Sequence, residues 1–203
     1  MDPESPAADF RAGLVGIVLA AGQSHRFGQD KRWVDYHGEP LLAHSLAMAC
    51  AVCDRVLLVV DRLEPRLESW ANRDQVEFVV CPGASEGLWA SQGCALAHLV
   101  TDPQPAGVLF FLGDMPDMQP ADACRVAQAM LTLDRPARPV HAGQPGHPVA
   151  FPGRLLASLR DQGSRGLRAC FEAEEGRWVA CASSGVIRDV DRPADLVRAP
   201  RRS

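Results

Sequence analysis

The feature that most constrains this chain is the regular return of short apolar runs over its first 135 residues. "GLVGIVLA" (13–20), "RVLLVV" (55–60), "VEFVVC" (76–81) and "AGVLFFLGDMP" (106–116) are each bounded by polar or Gly/Pro residues. A run with little polar alternation fits a strand buried on both faces. Between them lie stretches with helical spacing. In "PLLAHSLAMACAV" (40–52), Leu42, Leu46 and Ala49 share a stripe and Pro40 suits a first helical turn. "LEPRLESWA" (63–71) and "PADACRVAQAMLTL" (120–133) read as helices, and "SEGLWASQGCALAHLV" (85–100) as a loop entering one. Such alternation implies right-handed crossovers: an α/β, three-layer, Rossmann-like fold with a mainly parallel sheet and helices on both faces.

The remainder is mixed. "RPVHAGQPGHPVAF" (138–151) reads as two extended pieces around a Gly/Pro-rich turn, and "PGRLLASLR" (152–160) and "SRGLRACFEAE" (164–174) as short helices. "RWVACA" (177–182) and "VIRDVD" (186–191) read as strands, and "RPADLVR" (192–198) as a last helical turn. An antiparallel strand or subdomain is expected there. One domain is expected over residues 1–203, with 1–12 and 199–203 as flexible tails.

Apolar residues make up 47% and charged residues 23%, the composition of an ordinary globular protein. A net charge of −4 and a pI near 5.8 argue against a nucleic-acid partner, which calls for a basic face. No apolar stretch reaches the ~20 residues of a membrane span, and the acidic, Pro-rich N-terminus lacks the basic start of a signal peptide. The expected setting is cytoplasmic, with no membrane partner. The seven cysteines include one CxxC, Cys50 and Cys53, with no second pair at zinc-ligand spacing. They are expected to be small buried thiols in a reducing compartment.

In parallel sheets ligands bind beyond the carboxyl ends of the strands, so the polar turns there matter most. "AAGQSHRFGQDK" follows the first strand. Five residues separate Gly22 from Gly28, so this is neither a Walker A motif nor GxGxxG. Ala20, Ala21 and Gly22 let a ligand approach the backbone, and amides in a tight loop form an anion-binding concavity. Arg26 offers a planar fork for phosphate oxygens and Lys31 a mobile point charge. A plain glycine-rich turn with two solvated cations has the same spacing. In "LGDMP", Asp114 sits just past a buried strand, where it either caps a turn or holds a hard cation such as Mg²⁺. Asp189 and Asp191, two apart on the expected strand, face the same way: either they sit on a solvent-facing edge or cap "RPADL", or a cation lies nearby to offset the cost of pairing them.

Six segments in order resemble the MobA-like nucleotidyltransferase family, and within it the molybdenum cofactor cytidylyltransferases, over roughly residues 14–198. They are "LAAGQSHRFGQDK", "HGEPLL", "PGASEGLWASQGCAL", "LGDMP", "GQPGHPVAF" and "DVDRPADL". The resemblance implies that Leu19, Ala20, Ala21, Gly22 and Ser24 line the nucleotide and that the run Ser85 to Ser91, with Gly87 and Ser91, lies against its base. Arg26 and Lys31 would hold the triphosphate. Asp114 would bind Mg²⁺, with Asp191 as second carboxylate and Asp189 as fallback. Gly146, His147 and Pro148 would face the acceptor. Trp89 and Gln92 depart from the small residues usual in the base segment, and "DQGSRG" (161–166) stands where "GDxGAR" is common.

The implied reaction transfers a nucleoside monophosphate to the phosphate of an acceptor such as molybdopterin, with loss of pyrophosphate. "LAAG" resembles the cytidylyl version, where guanylyl relatives read "LAGG", so CTP is the expected donor and another NTP the alternative. The resemblance also implies transient contact with a molybdenum hydroxylase. Guanylyl transfer, transfer to a sugar or alcohol phosphate, and a non-catalytic cofactor-binding maturation factor are the other functions considered.

Overall fold

The computed structural model describes residues 13–22, 24, 27–71, 74–99, 104–161, 163 and 166–198. Arg26 and the two expected tails, 1–12 and 199–203, lie outside the described residues. The strands are β1 (Leu14–Leu19), β2 (Asp35–Tyr36), β3 (Glu39–Pro40), β4 (Arg55–Val60), β5 (Val76–Val80), β6 (Gly107–Leu112), β7 (Ala137–His141), β8 (Gln144–Pro145), β9 (Val149–Pro152) and β10 (Arg177–Ala180). The α-helices are α1 (Leu41–Val52), α2 (Pro65–Ala71), α3 (Leu88–His98), α4 (Pro120–Leu133), α5 (Leu156–Asp161) and α6 (Gly166–Ala173).

The main sheet runs in the order β10-β7-β9-β6-β1-β4-β5, with β8 paired to β7. Strand β1 is parallel to both β4 and β6, β4 to β5, and β7 to β10. Only the β9 and β8 pairings with the main sheet run antiparallel, which places the expected antiparallel element inside the sheet rather than in a subdomain.

Unbroken apolar runs become strands here because each strand is covered twice. Leu14 and Val18 of β1, Val56 and Leu58 of β4, and Leu109 and Phe111 of β6 pack with α1 and α4. The residues between them, Val15, Ile17, Leu57, Val59, Val108 and Phe110, face α3, α5 and α6. Consecutive Phe110 and Phe111 thus fill opposite layers, and each fully buried side chain of this size contributes ~1.5–3 kcal/mol. Gly16 lets α1 approach β1: a Cβ there would lie 3.2 Å from Cys53 Sγ and 3.4 Å from Ala49 Cβ. Phe110 and Phe151 meet edge to face at 6.1 Å, joining β9 to the parallel half of the sheet.

Three expectations are corrected. Residues 186–191 form no strand: a 3₁₀ turn (Ser184–Ile187) leads into extended chain outside the sheet. Its backbone is spent elsewhere, since Val190 N donates to Asp114 O at 2.9 Å and Val190 O accepts from Lys31 Nζ at 3.2 Å. Pro40 precedes the helix instead of opening it, because it pairs with Asp35 in the β2–β3 hairpin. The cysteines are not all thiols. Cys81, at the end of β5, is bonded to Cys94 on α3, with Cα atoms 5.9 Å apart, because a 3₁₀ turn (Pro82–Glu86) folds the helix back on the strand end. Cys53, Cys170 and Cys181 are buried, and Cys50 and Cys124 half-buried.

The β8–β9 turn is wedged against the 184–187 turn. His147 N donates to Val186 O at 2.8 Å, and a Cβ on Gly146 would collide with that same carbonyl. Backbone cannot swing aside as a side chain can, so Gly146→Ala is expected to cost about 1–3 kcal/mol in urea unfolding. Gly93, in α3, has open space around its Cβ position, and Gly93→Ala should instead stabilise by about 0.5–1 kcal/mol.

Candidate active site

The site forms where β1 and β6 part. Leu19 pairs with Leu112 at the carboxyl ends of the two strands. One residue further the ladder still holds, with Gly113 N bonded to Leu19 O and Ala20 N to Val59 O, both at 2.9 Å. Beyond that the chains diverge around an open crevice, the place where parallel sheets bind ligands. The loop after β1 is fixed by its own polar groups. Ser24, in left-handed conformation at φ 50, accepts Phe27 N on its carbonyl and Lys31 N on its hydroxyl. Asp30 caps the 3₁₀ turn Lys31–Trp33 by accepting Arg32 N at 3.1 Å. A small apolar cluster of Phe27, Tyr36, Leu41 and Val190 clips this loop to the C-terminal segment.

The crevice is a cavity of about 430 Å³. Leu19, Ala20, Ala21, Gly22, Ser24, Lys31, Gly87, Ser91, Asp114 and Asp191, all singled out from sequence, line it together. Leu88, within the run 85–91 expected against the base, lines it as well, and Arg32, Ala84, Leu112 and Gly113 line it without having been given a role. A second cavity of about 490 Å³ lies along the same loop, sharing Gly22, Ser24 and Arg32 and adding Asp30, Asp61 and Arg62.

Lys31 organises one end of the crevice. Its Nζ lies 2.6 Å from Asp114 Oδ2 and 3.1 Å from Asp191 Oδ1, and donates to Val190 O at 3.2 Å. It is the only lysine in the chain, whose other 20 basic residues counted as Lys+Arg are all arginine. A compact ammonium fits between two carboxylates and a carbonyl where a planar guanidinium fork would not. Burial alone would lower the Lys31 pKa, but Asp114 and Asp191 together outweigh it and raise it. Asp189 stands close enough to feel both carboxylates: burial, then Asp114, then Asp191 push its pKa up. The alternation expected of 189–191 therefore survives without a strand, with Val190 buried between two aspartates.

One lysine facing Asp114 and Asp191 leaves an excess of negative charge, and Asp114 Oδ1 is buried with no hydrogen-bond partner. That orphaned oxygen fits a cation. Among the described residues no three His, Cys, Asp or Glu side chains gather to hold a metal alone. Any ion here would take Asp114, Asp191 and oxygens of a ligand, as Mg²⁺ commonly does.

Gly146, His147 and Pro148 do not line either cavity. His147 Nδ1 lies 3.3 Å from Phe110 O, across a cis peptide bond to Pro148, and Arg138 Nη2 donates to Gly146 O at 3.0 Å. Burial pushes the His147 pKa down to about 4. Trp89 stands at the outer rim, donating to Glu86 O at 3.2 Å, whereas Gln92 is buried. Arg32, missed in the sequence, is 7% exposed and caged by Asp30, Asp61 and Glu64, so it anchors the residue next to Lys31. Its only sequence signal was its position directly after Lys31.

Residues 16–178 match the model of the MobA-like NTP transferase domain. Among curated proteins, the chain is 27% identical to the molybdenum cofactor cytidylyltransferase of Escherichia coli, over 92% of this chain and 95% of that one. It is 30% identical to a "Probable molybdenum cofactor guanylyltransferase" of Deinococcus radiodurans, covering 90% and 92%. Among solved structures, Rv0371c from Mycobacterium tuberculosis superposes with a TM-score of 0.74 at 24% identity, covering 92% of this chain and 96% of that one. Its complex with manganese gives a TM-score of 0.67 at 23% identity, covering 92% and 97%. Among the described residues no helix is long and apolar enough to cross a membrane.

His147 makes stability depend on pH in a defined direction. Its folded pKa, about 4, lies below the ordinary 6.5, so the unfolded chain takes up the proton first. The stability this half-buried neutral ring contributes is whole above pH 6.5 and is lost as pH falls through about 4. The loss should be no more than about 3 kcal/mol. Urea unfolding across that window should show the slope in the wild type and a flatter profile in His147→Gln.

Proposed function

The chain belongs to the MobA-like NTP transferase family and is a nucleotidyltransferase like the molybdenum cofactor cytidylyl- and guanylyltransferases, and on that premise we propose that it transfers CMP from CTP to the phosphate of a molybdopterin-type acceptor. The observation that carries this reading is the Lys31 ammonium set between Asp114 and Asp191 at a cavity walled by Ala20, Ala21 and Gly22. CTP is favoured over GTP by Ala21, which lines the cavity at the position where guanylyl relatives carry a glycine. The 30% identity to a protein named for guanylyl transfer is the observation on the other side.

In the reaction, an acceptor phosphate oxygen attacks the α-phosphorus, the bond to the β-phosphate breaks, and pyrophosphate leaves with the electron pair. The attacking phosphate is anionic near neutral pH, so no side chain need remove a proton. What remains for the protein is placement and charge. Backbone amides of the loop after β1 would cradle the phosphates, and Lys31 and Arg26 would stabilise charge building on the leaving pyrophosphate. Ser91 and Gly87, on α3 and its preceding turn, face the base. The acceptor would approach from the side of the Gly146–Pro148 turn, although that turn itself lines neither cavity. The buried, unpartnered Asp114 Oδ1 suits Mg²⁺, which with Asp191 would offset the repulsion between donor and acceptor phosphates. The product would pass to a molybdenum hydroxylase.

Pyrophosphate release with each NTP, Mg²⁺ and molybdopterin tests this. Release should require the acceptor and be fastest with CTP. Lys31→Ala and Asp114→Asn should each lower kcat/KM on the order of 10²-fold or more. Lys31→Arg should not restore it, because the guanidinium overfills the gap between the carboxylates. Tight nucleotide binding with no release under any of these conditions would favour a non-catalytic cofactor carrier instead.

A further inference from the structure

Asp117 lies three residues after Asp114 and outside both cavities. Both of its carboxylate oxygens are taken. Tyr36 Oη donates to Oδ1 at 2.8 Å and Arg188 Nη1 to Oδ2 at 2.7 Å. The other arm of Arg188, Nη2, donates to Asp195 O at 2.8 Å, and Asp195 Oδ2 in turn accepts the amides of Asp191 and Arg192. From Asp191 the path returns through Lys31 to Asp114, and the short stretch of chain from Asp114 to Asp117 closes the ring around the C-terminal segment. Arg188 and Asp117 are half-buried, so their ion pair is less screened than one at the surface. Nothing in the sheet ladder holds residues 188–191, so this ring, the Val190 backbone bonds and the burial of Val190 must do so.

We propose that Asp117 is a positioning residue: by gripping Tyr36 and Arg188 it latches the 188–191 segment so that the Val190 carbonyl and Asp191 carboxylate fix Lys31 opposite Asp114. The proposal rests on the reading of Lys31, Asp114 and Asp191 as the transfer machinery. Its consequence is that an acidic residue with no access to nucleotide sets the geometry of one that touches it.

The test uses the full chain with Asp117→Asn and Arg188→Gln, singly and combined. Lys31 is the only lysine, so acylation by acetic anhydride, read by mass spectrometry against the α-amino group, reports its freedom alone. Both variants should acylate Lys31 several times faster than the wild type. Their kcat should fall about 10- to 100-fold with KM for CTP little changed. The double variant should be no worse than either single one, since both cut the same latch, and Arg188→Lys should recover part of the loss. Wild-type acylation rates and kcat in both variants, or losses that add in the double variant, would overturn the proposal. If Asp117→Asn does not fold, Arg188→Gln carries the same comparison. Faster acylation in the variants of a protein whose wild type releases no pyrophosphate would uphold the latch and sink the transferase reading.

Discussion

The Lys31 ammonium is shared by partners that lie 83 and 160 residues further along the chain. A half-buried ammonium loses much of its hydration and is tolerated only where oppositely charged or lone-pair groups replace the water. Asp114, Asp191 and the Val190 carbonyl supply that replacement. The demand runs both ways, because without the lysine the same carboxylates would repel one another in a partly dry setting. One cation therefore decides how close the turn after β6 and the C-terminal segment come to each other. Such an ion triad contributes more to specifying that arrangement than to net stability.

The fold delivers these groups by ordinary means. Strand β1 lies between β4 and β6, and its carboxyl end is where neighbouring connections leave in different directions. The two apolar layers fix the register of β1 against β6, hence the height of Leu19 beside Leu112 and of Asp114 beyond it. Polar contacts within residues 24–33 then aim Lys31 across the gap, with the caged Arg32 holding its neighbour still. The 3₁₀ turn ahead of α3, tied by Cys81 and Cys94, closes the opposite wall. The rigid sheet sets positions, and short irregular segments set chemistry.

Much of this was legible in the sequence because burial on two faces leaves a plain mark. The runs at 55–60 and 120–133 became β4 and α4 at the same boundaries. Most of the cavity-lining residues were named because motif order, not composition, pointed to the turns after the strands. The failures share a cause. "VIRDVD" has the alternation of a strand, yet its backbone bonds to Asp114 and Lys31, which local pattern cannot reveal. Asp117, Arg188 and Arg32 look like solvated charges until folding brings carboxylate and guanidinium together across 71 residues in one case and 29 in another. Cys81 and Cys94 lie in separate apolar stretches, and only the turn between them shows that they meet.

The central claim is that the Lys31 ammonium is held by Asp114 and Asp191 and is the group that a nucleotide's phosphates engage. A protein labelled with ¹⁵N at the lysine side chain carries a single such ammonium, so one NMR resonance reads the site directly. The account predicts an Nζ signal protected from rapid exchange at neutral pH that shifts on addition of CTP and Mg²⁺. A signal exchanging as fast as free lysine, and unmoved by nucleotide, would contradict it.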